Sequence, residues 1–318
     1  MDTKHLVHPD LLPLLDAMPE LQFSIEAMPA IRTAVNEMFA AKPALTIEGV
    51  TVKEAFVPNL KDGHQVRILI YTPENTAPNK PALFHTHGGG YVMGSPEMND
   101  NRNKILCKEL NAVIVSVDYR LGPECPFPLP IEDCYAALKW LYDNAATLGA
   151  NNKNIAIYGE SAGGGLAAAL AIVARDRKEV PIVHQFLIYP MLDDRTCITE
   201  EPNLFTGEFI WTRENNFFGW TSLLGQKPGA KEISPYAAAA RVENIEGLPP
   251  AFITVGALDL FLEEDIHYAQ RLLKAGISTE LHVYAGAYHG FDAFVPESAL
   301  TRQLENDFMQ ALKKALVK

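Results

Sequence analysis

The sequence predicts an α/β protein, built on a mostly parallel sheet of eight strands with helices on both faces. Three observations carry this. Two alternating segments, 49–57 (GVTVKEAFV) and 64–72 (HQVRILIYT), bracket an Asp62-Gly63 turn and read as a β-hairpin. Six further apolar runs of strand length follow, most of them continuous rather than alternating, as strands covered on both faces are. Between these runs lie stretches of helical length, so strand and helix take turns along the chain and imply parallel pairing.

In order, the later strands are expected at 81–87, 112–119, 154–159, 181–190, 250–257 and 278–286, and the helices at 97–110, 130–147, 162–177, 264–275 and 299–317. Two segments break the rhythm. Residues 6–39 carry apolar residues at helical intervals, but Pro13, Pro19 and Pro29 divide them into short helices that cannot form a core alone. Residues 195–231 contain FIWTRENNFFGWTSLLG, aromatic and helical, inserted after a strand. The expected organisation is a helical cap segment over 1–45 and one α/β unit over 46–318, with 195–231 as a second cap insertion.

Composition limits the function classes. With 318 residues, 48% of them hydrophobic, the chain can bury a large core and is not a disordered protein. A formal net charge of −12 repels nucleic acid and anionic membrane surfaces at long range. The N-terminal stretch is interrupted by Asp2, Asp10 and several prolines, so it has no signal-peptide core, and the longest apolar run, 165–174, is about half of what a bilayer requires. Cys107, Cys125, Cys134 and Cys197 have no metal-binding or redox spacing. The expectation is a cytoplasmic protein with reduced thiols, no nucleic-acid partner, no stable membrane insertion, no metal and no cofactor.

Chemistry concentrates at YGESAGGG, 158–165, which joins an apolar strand to an alanine-rich helix. Serine and glycine are not residues that helix propensity selects there. Gly159-Glu160-Ser161-Ala162-Gly163 is the Gly-x-Ser-x-Gly pattern of a nucleophile elbow, in which a strained turn exposes a serine above the sheet and glycines two residues away avoid collisions. An ordinary strand–helix turn is the plainer reading. A phosphate loop is excluded because neither Gly-Lys-Ser/Thr nor Gly-x-Gly-x-x-Gly is present. Upstream, His87-Gly88-Gly89-Gly90 ends another strand, and consecutive glycines there let bare amides approach a substrate oxygen.

A serine hydroxyl needs a base. Of nine histidines, His5 and His8 fall in the N-terminal segment, His64 beside the hairpin turn, His85 and His87 at the glycine loop, and His267 on a helix. His184 and His282 lie within strands, where a packed, satisfied imidazole is expected. His289, in GAYHGFD between the last strand and the final helix, occupies the place where the order Ser…Asp…His ends. For the orienting carboxylate, Asp259 is the first acid after the penultimate strand. Glu263 ranks second, Asp292 third, and Asp193 and Asp194 follow an earlier strand. Glu263, Glu264 and Asp265 look like the acidic first turn of a helix.

HGGGYVMGS, VDYRLGPECPFPLPIEDCYAALKWL and YGESAGGGLAAAL, with VGALDLFLEED and YHGFD, closely resemble the hormone-sensitive-lipase-like carboxylesterases of the α/β-hydrolase fold, from Phe84 to the C-terminus. The sequence departs from the group's usual pattern at Glu160 (often Asp), Cys125 (often His), Gly122 (often Ala) and Asp259-Leu260-Phe261 (commonly Asp-Pro-Leu). None of these removes a reacting atom. The resemblance implies an α/β-hydrolase fold with a helical cap, and Ser161, Asp259 and His289 as a catalytic triad. It also implies oxyanion donors from the backbone N–H groups of Gly89, Gly90 and Ala162, with His87 and Gly88 supporting their loop. The implied activity is hydrolysis of short- to medium-chain carboxylic esters, with a small-molecule ester as partner. Amide bonds are disfavoured, because peptidases on this fold usually add a large domain. An acyltransferase using the same triad and a non-catalytic small-ligand receptor are the rivals. Related plant receptors typically lose the histidine that is present here as His289. A homodimer is open to the family, and no residue here specifies its interface.

Overall fold

The chain is described from a computed structural model covering residues 2–15, 17, 22–41, 43–74 and 77–317. The apolar runs form β1 (Val50–Pro58), β2 (Gln65–Pro73), β3 (Lys80–Thr86), β4 (Val113–Asp118), β5 (Ala150–Glu160), β6 (His184–Ile188), β7 (Ala251–Gly256) and β8 (Thr279–Tyr284). They make one sheet in the order β1-β2-β4-β3-β5-β6-β7-β8. The hairpin pairs β1 with β2 antiparallel, Val52 opposite Tyr71, and β2 meets β4 antiparallel. Every other neighbour is parallel. β1 is an edge strand with mostly exposed side chains, which is why its sequence alternates. β5 starts at Ala150, four residues before its apolar run, because Ala150 pairs with Lys80 before the register shifts toward Ala82.

The helices are α1 (Leu12–Leu15), α2 (Met28–Ala40), α3 (Asp100–Leu110), α4 (Leu129–Asn144), α5 (Ala162–Arg177), α6 (Arg213–Leu224), α7 (Leu262–Lys274), α8 (Phe291–Phe294) and α9 (Ala299–Leu316). Alternation along each strand feeds two cores. Ile68, Ile70, Ile155 and Ile157 face α4, α5 and α7, whereas Leu69, Tyr71, Ala156 and Tyr158 face α3 and α9. α5 is buried all round from Ala162 to Ala174, as its uniformly small and apolar sequence requires. α3 begins three residues later than expected because Pro96–Asn99 forms a 3-10 turn. No described helix is long and apolar enough to cross a membrane.

Of the N-terminal prolines, Pro13 lies inside the single turn of α1 and Pro29 in the first turn of α2, where its missing N–H costs nothing; Pro19 is outside the described residues. α2 is held by Arg32, which donates to the carbonyls of Val92 (2.7 Å) and Gly122 (2.7 Å) and to Glu124. Phe23 sets its ring against Trp211 (5.7 Å between centroids) and Phe218 (5.9 Å), and Thr3 donates to Glu208 through its N–H and hydroxyl. The N-terminal segment and the 195–231 insertion therefore touch one another directly. Inside segment 195–231 Trp211 and Trp220 are buried, but Phe205 and Phe217 are exposed, so its aromatic side chains do not share one face.

Buried carboxylates fix both ends of the insertion. Asp194 is fully buried and accepts from Arg241 Nε (2.7 Å) and Nη2 (2.9 Å) and from the Gly229 N–H (2.6 Å). Glu264, in the first turn of α7, accepts from the N–H groups of Leu192 and Asp193 and from Thr196. Its neighbour Asp265 is also fully buried, yet neither of its oxygens has a hydrogen-bond partner. Burial, with Glu264 and Asp259 nearby, pushes the Asp265 carboxyl well above the ordinary range.

Two stability predictions follow from these carboxylates. Arg241→Met strands Asp194 and is expected to cost about 3–5 kcal/mol in chemical denaturation; a loss under about 1 kcal/mol would contradict the pairing. For Asp265 the folded state keeps a proton that the unfolded chain, titrating near the usual ~4, releases. Stability then declines as pH rises above that value. Asp265→Asn removes this dependence, so its stability relative to the parent is expected to grow between pH 5 and pH 8. An offset that stays constant across that interval would mean that Asp265 is ionised in the native state.

Candidate active site

Ser161 lies between the last residue of β5 and the first of α5, at φ +56° and ψ −123°. A side chain other than glycine rarely accepts a positive φ, so surrounding bonds must impose it. The Ser161 N–H donates to the Ile188 carbonyl (2.9 Å), and its own carbonyl accepts from Gly165 (2.9 Å) and Met191 (2.9 Å). Packing completes the constraint. A Cβ on Gly163 would stand 2.0 Å from the Thr86 carbonyl oxygen and 2.4 Å from that of His87, so only glycine lets α5 start this close to the end of β3.

The sharp bend directs the Ser161 hydroxyl at His289, whose Nε2 lies 2.8 Å from Oγ. His289 Nδ1 is 2.8 Å from Asp259 Oδ2, and the other Asp259 oxygen accepts the Phe261 N–H at 3.0 Å. A neutral ring protonated on Nδ1 satisfies both ends: it donates to Asp259 and accepts from the serine hydroxyl. Exposure is 7% at Ser161, 6% at His289 and 1% at Asp259, so the line of bonds is shielded but reachable at its serine end. Aromatic rings frame the imidazole. Tyr189 and Phe261 meet it in T-shaped contacts at 4.9 and 5.0 Å, and Trp211 lies at 6.2 Å.

The glycine loop runs alongside. A Cβ on Gly88 would lie 3.5 Å from that of Ser161, which places this loop against the bend. Gly89 (φ +121°) accepts from the N–H groups of Val92 and Met93, turning the chain back, and Gly90 (φ +60°) lies so close under Trp211 that a Cβ would stand 2.1 Å from its ring. Among the described residues, the N–H groups of Gly89 and Gly90 donate to no protein acceptor. The N–H of Ala162, first in α5, has no partner within its helix. His87 stacks on Tyr119 at 4.2 Å, and its carbonyl accepts from the Tyr119 hydroxyl. Burial lowers the His87 imidazole to about 4, which keeps it neutral.

The other sequence candidates lie elsewhere. Glu263 is exposed and faces Asn203, Asp292 bonds Tyr189 and Arg102, Asp193 pairs with Arg195, and Asp194 with Arg241. His85 is in β3 rather than in the loop and bonds Glu160 and Ser116. His282 sits on the edge strand β8, partly exposed, bonded to Glu280 at 2.8 Å and packed against the rings of Phe252 and Tyr284. Cys107, Cys134 and Cys197 are buried, and burial pushes the Cys107 and Cys197 thiols up to about 12, away from nucleophilic use. No three His, Cys, Asp or Glu side chains gather in metal-binding fashion among the described residues. Tyr189 and Arg102 had no local signal in the sequence; they reach the site through tertiary packing.

Comparison with known proteins identifies the family. Residues 83–293 match the alpha/beta hydrolase fold family. The chain is 31% identical to Esterase LipI of Mycobacterium tuberculosis over 99% of its own length and 97% of that protein. It is 31% identical to Carboxylesterase NlhH of the same organism over 98% and 96%. Among solved structures it superposes on a bacterial heroin esterase with a TM-score of 0.93 at 36% identity, covering 99% of this chain and 100% of that one. Esterase LipW from Mycobacterium marinum superposes at 0.87 and 33%, covering 100% and 98%. The chain belongs to the alpha/beta hydrolase fold family, in its hormone-sensitive-lipase-like carboxylesterase group.

Proposed function

We propose that this carboxylic ester hydrolase works through an acyl-enzyme formed on Ser161. The observation that carries the reading is the unbroken line of hydrogen bonds from Ser161 Oγ through His289 to Asp259, each 2.8 Å long. In this reading Ser161 attacks the ester carbonyl as His289 Nε2 takes its proton. Asp259 holds the ring with Nδ1–H toward itself and stabilises the imidazolium. The N–H groups of Gly89, Gly90 and Ala162 receive the oxyanion, helped by the positive end of α5. His289 then protonates the leaving alcohol. Water, activated by the same imidazole, attacks the acyl carbon and releases the acid, restoring Ser161.

Residues up to 45 and the insertion at 195–231 are read as a two-piece cap. Phe23 and Trp211, one from each piece, meet over the side of the site where Gly90 and His289 lie, which supports an apolar pocket for a short to medium acyl or alcohol group. A cytoplasmic setting remains part of the proposal, resting on the composition of the chain.

A panel of p-nitrophenyl esters tests the chemistry. Wild type is expected to turn over acetyl to octanoyl esters, and Ser161→Ala and His289→Ala to lose about 10⁴–10⁶ in kcat. Asp259→Asn should fall by about 10⁴, whereas Glu263→Gln stays within about twofold. Near-normal turnover by Ser161→Ala, or a reversed order of the two acid variants, would overturn the assignment.

A further inference from the structure

Behind the reacting serine, a buried polar cluster joins groups that the proposed reaction leaves unused. Glu160, the residue before Ser161, accepts at Oε1 from Asn99 Nδ2 (2.9 Å) and Arg102 Nη1 (3.2 Å). Its Oε2 lies 3.0 Å from His85 Nε2, and His85 Nδ1 lies 2.7 Å from Ser116 Oγ. Arg102, from α3, also reaches across to the other loop. Its Nη2 donates to Asp292 Oδ2 at 3.1 Å and to Glu305. Asp292 follows His289 by three residues and accepts from the Tyr189 hydroxyl at 2.6 Å, while the Tyr189 ring meets the His289 imidazole in a T-shaped contact at 4.9 Å.

One guanidinium thus grips the carboxylate that precedes the nucleophile and a carboxylate three residues past the base. Glu160 and Asp292 are 5% and 6% exposed, where charge-assisted bonds are strong and a lost partner leaves a stranded charge. Burial would push the Glu160 carboxyl up, but His85 and Arg102 hold it below its ordinary range, so it stays an anion for the guanidinium to hold. The two loops belong to different strand–helix units. Near the reacting atoms, the hydrogen bond they share directly is the one between Ser161 and His289, which breaks and re-forms during turnover. A second, permanent tie keeps their separation while that bond changes.

We propose that Arg102 is a positioning residue for ester hydrolysis: by holding Glu160 and Asp292 together it fixes the distance between the Ser161 bend and the His289 loop. The inference rests on the reading of Ser161 and His289 as nucleophile and base. Its consequence is that Glu160 and Asp292 act as one unit, with Arg102 as the link.

A double-mutant cycle decides it. Glu160→Gln, Asp292→Asn and their combination are compared by kcat for p-nitrophenyl butyrate, per site titrated with a p-nitrophenyl phosphonate. Each single change is expected to lower kcat about tenfold with KM within about twofold, and the combination to lower it little further, well short of the product. Arg102→Met should match the combination, and Arg102→Lys, which keeps charge but not the fork, should recover part of the loss. If Arg102→Met does not fold, the two isosteric variants still complete the cycle. Unchanged kcat per titrated site, or single effects that multiply in the combination, would overturn the proposal. A wild type that the phosphonate fails to titrate would instead sink the underlying serine mechanism.

Discussion

The contact between the first turn of α5 and the end of β3 governs the site. Because Gly163 presses its bare Cα against the carbonyls of Thr86 and His87, the chain must leave β5 and enter α5 within a single residue, and that residue takes a left-handed backbone. Three results come from one close approach. The Ser161 side chain stands clear of the sheet, the N-terminus of α5 faces the same space, and the glycine loop that follows β3 is brought alongside. The strain at Ser161 is carried by bonds at both of its peptide groups, to Ile188, Gly165 and Met191, so the bend is over-determined rather than balanced on one contact.

Carboxylate environment separates the acids near the site. Asp259 has two donors, the Phe261 N–H and the His289 ring, and in the proposed reaction it would face the developing imidazolium. Glu264, five residues after Asp259, accepts instead from the backbone of Leu192 and Asp193 and anchors the chain where segment 195–231 begins. Asp265 has no donor at all. Asp259, Glu264 and Asp265 therefore have three different hydrogen-bonding environments, decided by which donors the surrounding chain offers.

The architecture was legible because two periodicities differ so plainly: alternation in the edge hairpin, continuous apolar runs where strands are covered on both faces. The bend at Ser161 was legible because a close approach demands glycine locally. Chain order after the strands points to His289 and Asp259, and the structure lines both up with Ser161. What escaped reading depends on distant partners. Arg102 looks like any surface arginine of a helix, and only the folded chain sets it between Glu160 and Asp292. Phe205 and Phe217 share segment 195–231 with Trp211, yet they are exposed where Trp211 is buried, since a segment this irregular has no period from which to assign faces. β5 gained its first residues from pairing with β3, not from hydrophobicity.

The central claim is that one crevice presents a hydroxyl on a forced bend to an imidazole and to unpaired backbone N–H groups. A crystal structure of the enzyme after reaction with a p-nitrophenyl alkylphosphonate tests this most directly. The account predicts phosphorus bonded to Ser161 Oγ, with the phosphonyl oxygen within hydrogen-bond reach of the Gly89, Gly90 and Ala162 N–H groups and His289 Nε2 facing the ester oxygen. Phosphorus on another side chain, or a phosphonyl oxygen turned away from those three donors, would contradict it.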